Sequence, residues 1–155
     1  MVSARTAMTA GGASLGLILA ANIIGDWEGK RNDPYRDIVG VWTVCYGETR
    51  VQMKYYTDKE CTDMLTKAVK EYQDGVIKCV PNLADRPYQL AAATSLAYNI
   101  GTVKFCNSTI AKQFRAGDYK AACNNFWQYR LAGGQISKGL VNRRADETKL
   151  CLRGL

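Results

Sequence analysis

Helical spacing of apolar residues dominates the chain after residue 57. Thr57 and Glu60 form a capping-box pattern, and the residues that follow put four side chains on one helical face, at Cys61, Leu65, Ala68 and Tyr72. This pattern predicts a helix from about 58 to 73. Further helices are predicted over about 86–99, which Gly101 would end, and over about 107–115, 118–130 and 140–152.

A different pattern occupies residues 33–49. Turn signals at Asp33 and Pro34 precede a β-branched stretch, Ile38–Val44, which Gly40 interrupts and Gly47 closes. This pattern predicts a small antiparallel hairpin. No linker, repeat or low-complexity tract divides the 155 residues, so the expected fold class is α+β, mainly α, in one catalytic unit.

An uncharged segment, residues 6–25, lies between Arg5 and Asp26. As a helix it would span about 30 Å, the thickness of a bilayer's hydrocarbon core. Because glycine, alanine and polar residues make up much of it, membrane insertion should be marginal and reversible. A cleaved signal peptide and a helix of a soluble core are the alternatives. Basic residues lie on both sides, so charge does not set an orientation.

Charge and cysteine content narrow the function classes. The net charge of +7 favours anionic partners, but the basic residues form no run and no RNA-binding or zinc-finger signature, so nucleic acid is not an expected partner. The chain has no histidine and no Cys-x-x-Cys pair, so no metal site is expected. Its six cysteines favour three disulfides formed in an oxidising compartment, with buried reduced thiols as the alternative.

Glu28, Asp37 and Thr43 are the candidate catalytic residues. Two carboxyl groups and a hydroxyl that can hold water are the parts needed to hydrolyse a glycosidic bond without a cofactor. Taken singly, each residue has a simpler interpretation. Glu28 would be a polar residue at a helix boundary, Asp37 a turn residue, and Thr43 a strand residue. The surrounding sequence decides between these readings.

That surrounding sequence resembles the active-site region of phage-type lysozymes, glycoside hydrolase family 24. The resemblance rests on four stretches, Glu28–Lys30, Asp33–Asp37, Gly40–Gly47 and Tyr98–Gly101, and on Gly139–Arg144 with Glu147. It covers residues 26 to 152. Within the family, the uncharged segment is similar to that of signal-arrest-release endolysins, which insert by a weak N-terminal helix and are later freed.

The resemblance implies a lysozyme-like fold with a small antiparallel sheet in the N-terminal lobe and a larger helical lobe. Residues 1–25 would be the uncleaved membrane segment that can refold as a helix, and residues 26–155 the catalytic domain. The implied activity is cleavage of the β-1,4 bond between N-acetylmuramic acid and N-acetylglucosamine in peptidoglycan, which lyses the host. A monomer without cofactor would lie at the periplasmic face of the host inner membrane and then in the periplasm.

Roles for single residues follow from the resemblance. Glu28 would be the general acid and Asp37 the ionised carboxylate that stabilises the sugar cation. Thr43 would hold the attacking water in an inverting reaction, and Arg143 would pair with Glu28. Burial of Glu28 would favour its protonated form and Arg143 its ionised form, and the sequence leaves that balance open.

Asn99 is expected either to contact the substrate or to form a helix C-cap, and Trp42 and Trp127 are expected to be core residues rather than sugar platforms. The resemblance also implies disulfides Cys45–Cys61 and Cys123–Cys151, which leaves Cys79 with Cys106. Two other functions remain open at this stage, a lytic transglycosylase and a membrane-tethered cell-wall-binding module without catalysis.

Overall fold

A computed structural model of the chain describes residues 14–155. The first part of the uncharged segment, residues 6–13, lies outside the described residues. Helix α1 runs Leu15–Glu28, and Ser14 caps it by accepting a hydrogen bond from the Leu17 N–H. One continuous helix therefore crosses from the uncharged segment to Glu28. Within the described part of the chain, no helix is long and apolar enough to span a membrane.

The remaining elements follow in the order hairpin, long helix, helical lobe. They are β1 (Arg31–Arg36), β2 (Trp42–Cys45), α2 (Asp58–Cys79), α3 (Pro87–Ile100), α4 (Thr102–Cys106), α5 (Thr109–Arg115), α6 (Tyr119–Asn124), β3 (Leu131–Ala132), β4 (Gln135–Ile136) and α7 (Lys138–Cys151). Strands β1 and β2 pair antiparallel with Tyr35 opposite Thr43, and an irregularity separates that pair from the Arg31–Cys45 pair. The fold class predicted from the sequence is confirmed.

Local sequence signals account for several helix ends. The capping box of Thr57 and Glu60 is present at the start of α2, and Gly101 ends α3 with its N–H donating to Ala97 O. Helix α2 continues to Cys79, beyond the predicted end at about 73.

The predicted helix over 118–130 is wrong after Asn124. The chain leaves α6 there and makes a 3-10 turn, Phe126–Gln128, that buries Phe126 and exposes Trp127. A second hairpin, β3–β4, then turns at residues 133–134 and was not predicted. Burial of one aromatic ring here outweighs continued helix propensity.

Two hydrophobic cores meet at α3. In α3 every residue from Gln89 to Ala97 is buried, because the helix is surrounded on all sides. One core lies between α3 and the helices that follow it, around Phe105, Phe114 and Phe126. The other joins α1, the hairpin and α2, with Ala20, Ala21 and Ile24 of α1 fully buried. The described part of the uncharged segment is thus part of the fold.

Candidate active site

Glu28 is the last residue of α1, and its position follows from how that helix ends. Gly29 adopts φ +68, a conformation that L side chains rarely adopt, and this turns the chain from α1 into β1. The Glu28 side chain is 26% exposed. Its Oε1 accepts a hydrogen bond from Arg143 Nη1 at 3.0 Å. A Cβ placed on Gly47 would lie 3.5 Å from Oε2, so the returning end of the hairpin passes close to that oxygen.

Asp37 and Thr43 lie on either side of the hairpin turn and share Val41 as a neighbour. The Asp37 Oδ1 atom accepts from Val41 N at 2.8 Å and from Val39 N at 3.0 Å. The Thr43 hydroxyl donates to Val41 O at 2.9 Å and is only 3% exposed. Thr43 Oγ1 therefore has lone pairs, but not its proton, to offer a water molecule.

Arg143 belongs to a buried ionic cluster on α7. The carboxylate of Glu147, which is fully buried, lies 3.4 Å from Arg143 Nε and 2.7 Å from Arg144 Nε, and it accepts from Ser95 Oγ of α3. The Arg144 contact is close, but its N–H is poorly aligned for a hydrogen bond. Burial raises the pKa of Glu147 and lowers that of Arg144, and the attraction between the two groups opposes both shifts.

Asn99 is exposed in the last turn of α3, where its Oδ1 accepts from Arg144 Nη2 at 2.9 Å. The C-cap of this helix is Gly101, so the alternative reading of Asn99 as a C-cap is wrong. Trp42 and Trp127 are 48% and 52% exposed, so neither is a core residue.

A groove begins at the C-terminal end of α3. It consists of adjoining cavities of about 620 and about 270 Å³ that share Arg50 and Glu71 in their linings. At one end it is bounded by residues 100–104. At the other end, Tyr46 and Glu48 line a small adjoining cavity together with Tyr98, and Gly47, which lies between them in the chain, comes close to Glu28 Oε2.

Tyr98 is the aromatic residue that joins this end of the groove to the core. Its ring packs against Tyr72, with centroids 4.8 Å apart. Burial, assisted by the negative charge of Glu28, raises the pKa of Tyr98 to about 12. Its phenol therefore stays neutral at neutral pH, close to the negative charge of Glu28.

Three disulfides hold the parts in place: Cys45–Cys61, Cys79–Cys106 and Cys123–Cys151. The first and third are the pairs that the resemblance implies, and the second is the pair that they leave. The first ties the end of β2, two residues after Thr43, to α2. The third ties α6 to α7, which carries Arg143.

Neither Ser95 nor a role for Glu147 was predicted from the sequence. The available signals were a hydroxyl inside the alanine-rich helix α3, and a glutamate three and four residues after two adjacent arginines. Neither signal says which partner lies opposite, because Ser95 and Glu147 are 52 residues apart.

Comparison with known proteins identifies the family of this chain. The sequence model of the family described as Phage lysozyme matches residues 25–147. A SAR-endolysin of Enterobacteria phage P21 is 38% identical over 131 residues, which make up 82% of this chain and 78% of that protein. A SAR-endolysin of bacteriophage PS119 is 39% identical over 134 residues, 82% of this chain and 77% of that protein.

Solved structures give the same picture at the level of the fold. The crystal structure of the active form of the P1 phage endolysin Lyz matches with a TM-score of 0.81 at 26% identity, covering 96% of this chain and 90% of that one.

Proposed function

Because this chain belongs to the phage lysozyme family, we propose that it hydrolyses peptidoglycan to lyse the host, with Glu28 as general acid. The bond cut is the β-1,4 bond between N-acetylmuramic acid and N-acetylglucosamine. The observation that carries the proposal is the place of Glu28, held by Arg143 and approached by the hairpin that bears Asp37 and Thr43. An open groove suits a glycan strand, which must enter along its length.

The two oxygens of Glu28 have different roles in this proposal. Arg143 donates to Oε1, so that oxygen uses a lone pair and the acidic proton sits on Oε2. During cleavage the C1–O bond breaks and this proton passes to the leaving oxygen. A water molecule adds to C1 from the opposite face and gives its proton to Asp37.

Asp37 and Thr43 contact this water in different ways. Two backbone N–H groups already occupy Asp37 Oδ1, so Oδ2 is the oxygen that takes the proton. The water donates to Thr43 Oγ1, whose own proton is committed to Val41 O. Attack from the face opposite the leaving group inverts the anomeric configuration.

Peptidoglycan digestion tests the reaction. Mass analysis should find reducing muramic ends that have gained one water, and Glu28→Gln should lower the clearing rate by ~10²-fold or more. Asp26→Asn, two residues earlier and exposed on the same helix, is the matched control and should keep the native rate. Anhydro-muramic ends would indicate a lytic transglycosylase. Sedimentation with peptidoglycan without turbidity loss would indicate a binding module.

Stereochemistry is tested separately. A short soluble glycan is digested in an NMR tube, and the first anomer formed is recorded before mutarotation. Inversion predicts the α anomer first, whereas a β product would assign a retaining mechanism.

Control of the enzyme is proposed to lie in the uncharged segment, residues 6–25. In the membrane this segment would carry the start of α1 away from the core that buries Ala20, Ala21 and Ile24, and Glu28 would lose its place beside Arg143. Similarity to SAR-endolysins supports this control. Collapse of the membrane potential should move uncleaved, full-length protein from the host inner membrane into the periplasm. A soluble form that begins after about residue 21 would instead indicate signal-peptide cleavage.

The proposed active form is a monomer, because one chain supplies Glu28, Arg143 and the whole groove. Light scattering on the released protein checks this.

A further inference from the structure

Glu147 connects the two arginines that reach the site. It is fully buried on α7, and its carboxylate contacts Arg143 at 3.4 Å and Arg144 at 2.7 Å. Ser95 Oγ on α3 donates to the same carboxylate and fixes it against the core. Adjacent arginines on a helix point in different directions, so one carboxylate between them sets both guanidinium groups.

Each arginine donates a hydrogen bond to a different part of the site. Arg143 Nη1 donates to Glu28 Oε1 at 3.0 Å. Arg144 Nη2 donates to Asn99 Oδ1 at 2.9 Å, and Asn99 is exposed next to Ile100, which lines the groove. Loss of the Glu147 carboxylate would therefore disturb the acid through one arginine and the groove wall through the other.

Stability alone does not explain this cluster. Buried ion clusters are often no more stable than apolar residues of the same volume, because removing charges from water offsets their attraction. What the cluster supplies is geometry, since Arg143 is held at its Nε end and presents Nη1 to Glu28.

We propose that Glu147, fixed by Ser95, is a positioning residue that orients Glu28 through Arg143 and Asn99 through Arg144. The proposal rests on the proposed role of Glu28 as general acid. Glu147 does not contact the substrate and transfers no proton. Its effect on rate comes only from where it puts the two arginines.

The first test is Glu147→Gln, measured on a soluble glycan fragment so that kcat and KM separate. Misplacement of the acid should lower kcat by ~10- to 100-fold. Arg144→Lys, which keeps the charge but loses the fork that reaches Asn99, should raise KM and leave kcat within about twofold of the native value. Native kcat in a folded Glu147→Gln protein would overturn the proposal.

The second test asks whether Glu147 acts through Arg143. In an Arg143→Ala background, Glu147→Gln should cause no further loss of kcat, because the link to Glu28 is already cut. Equal fold-losses of kcat in both backgrounds would show that Glu147 acts by another route and would overturn the proposal.

A variant that keeps the charges covers the case in which Glu147→Gln does not fold. Ser95→Ala removes only the hydroxyl that fixes the carboxylate, and it should lower kcat by ~3- to 10-fold. Thr94→Ala is the matched control, since its buried hydroxyl donates only to Leu90 O within the same helix. Equal kcat in these two variants would overturn the proposal. Glu28→Gln, run in parallel, separates the outcomes, because native activity there would refute the proposed acid itself.

Discussion

The proposed roles of Glu28 and its neighbours depend on the contacts of single oxygen atoms. Oε1 of Glu28 faces Arg143 and Oε2 faces Gly47, so the two oxygens are chemically distinct. Thr43 has its proton engaged by Val41 O, which makes it an acceptor for water. These details depend on rotamers and on partners far away in the chain, and no sequence pattern contains them.

Gly47→Ala tests the close approach to Glu28. Gly47 has φ +85, so any side chain there strains the backbone, by about 1–2 kcal/mol of unfolding free energy. The new methyl group would also sit in contact with Oε2, and kcat should fall severalfold. Gly134→Ala is the control. Gly134 has φ +80 and open space where the new Cβ would lie, so this variant has the backbone strain without a new contact. Equal kcat in the two variants would show that the space beside Oε2 is not used.

The candidate residues could be identified from the sequence, but the side chains that hold them in place could not. Glu28, Asp37, Thr43 and Arg143 lie in short motifs that stand out locally. The carboxylate that holds Arg143 became visible only in three dimensions, because it depends on how α7 packs against α3.

Among the elements, those with local end signals were predicted and those set by packing were not. The capping box starts α2 and Gly101 ends α3, and both follow from side-chain and backbone hydrogen bonds within a few residues. The end of α6 and the β3–β4 hairpin depend on the burial of Phe126 in a core formed by distant helices.

The Cys45–Cys61 disulfide anchors the hairpin to α2. Cys45 and Cys61 are 16 residues apart, and replacing both by serine should lower the unfolding free energy by about 3 kcal/mol. Because this bond anchors β2 beside Thr43, specific activity at a temperature where the protein stays folded should also fall. Replacing Cys123 and Cys151 should cost a similar free energy, measured by urea unfolding. If the two double variants lose activity equally, the hairpin does not depend on its anchor.

For the whole molecule, charge and shape act together. A net charge of +7 should draw the protein to an acidic cell wall, and in the proposed function the open groove receives the glycan. Clearing of cell walls should therefore slow by severalfold between about 0.05 and 0.3 M salt, as charges become screened. Cleavage of a short neutral chitin-type oligosaccharide, measured under the same conditions, should change little. Equal salt dependence for both substrates would show that long-range attraction does not contribute.

In the proposed mechanism Glu28 delivers a proton to the leaving oxygen, and a change of leaving group tests this role. Rates of Glu28→Gln are compared on a natural glycan and on an aryl glycoside whose phenol leaves without protonation. We predict that the variant loses ~10²-fold or more on the glycan and recovers most of that loss on the aryl substrate. Native activity of Glu28→Gln on the glycan, or an equal loss on both substrates, would contradict it.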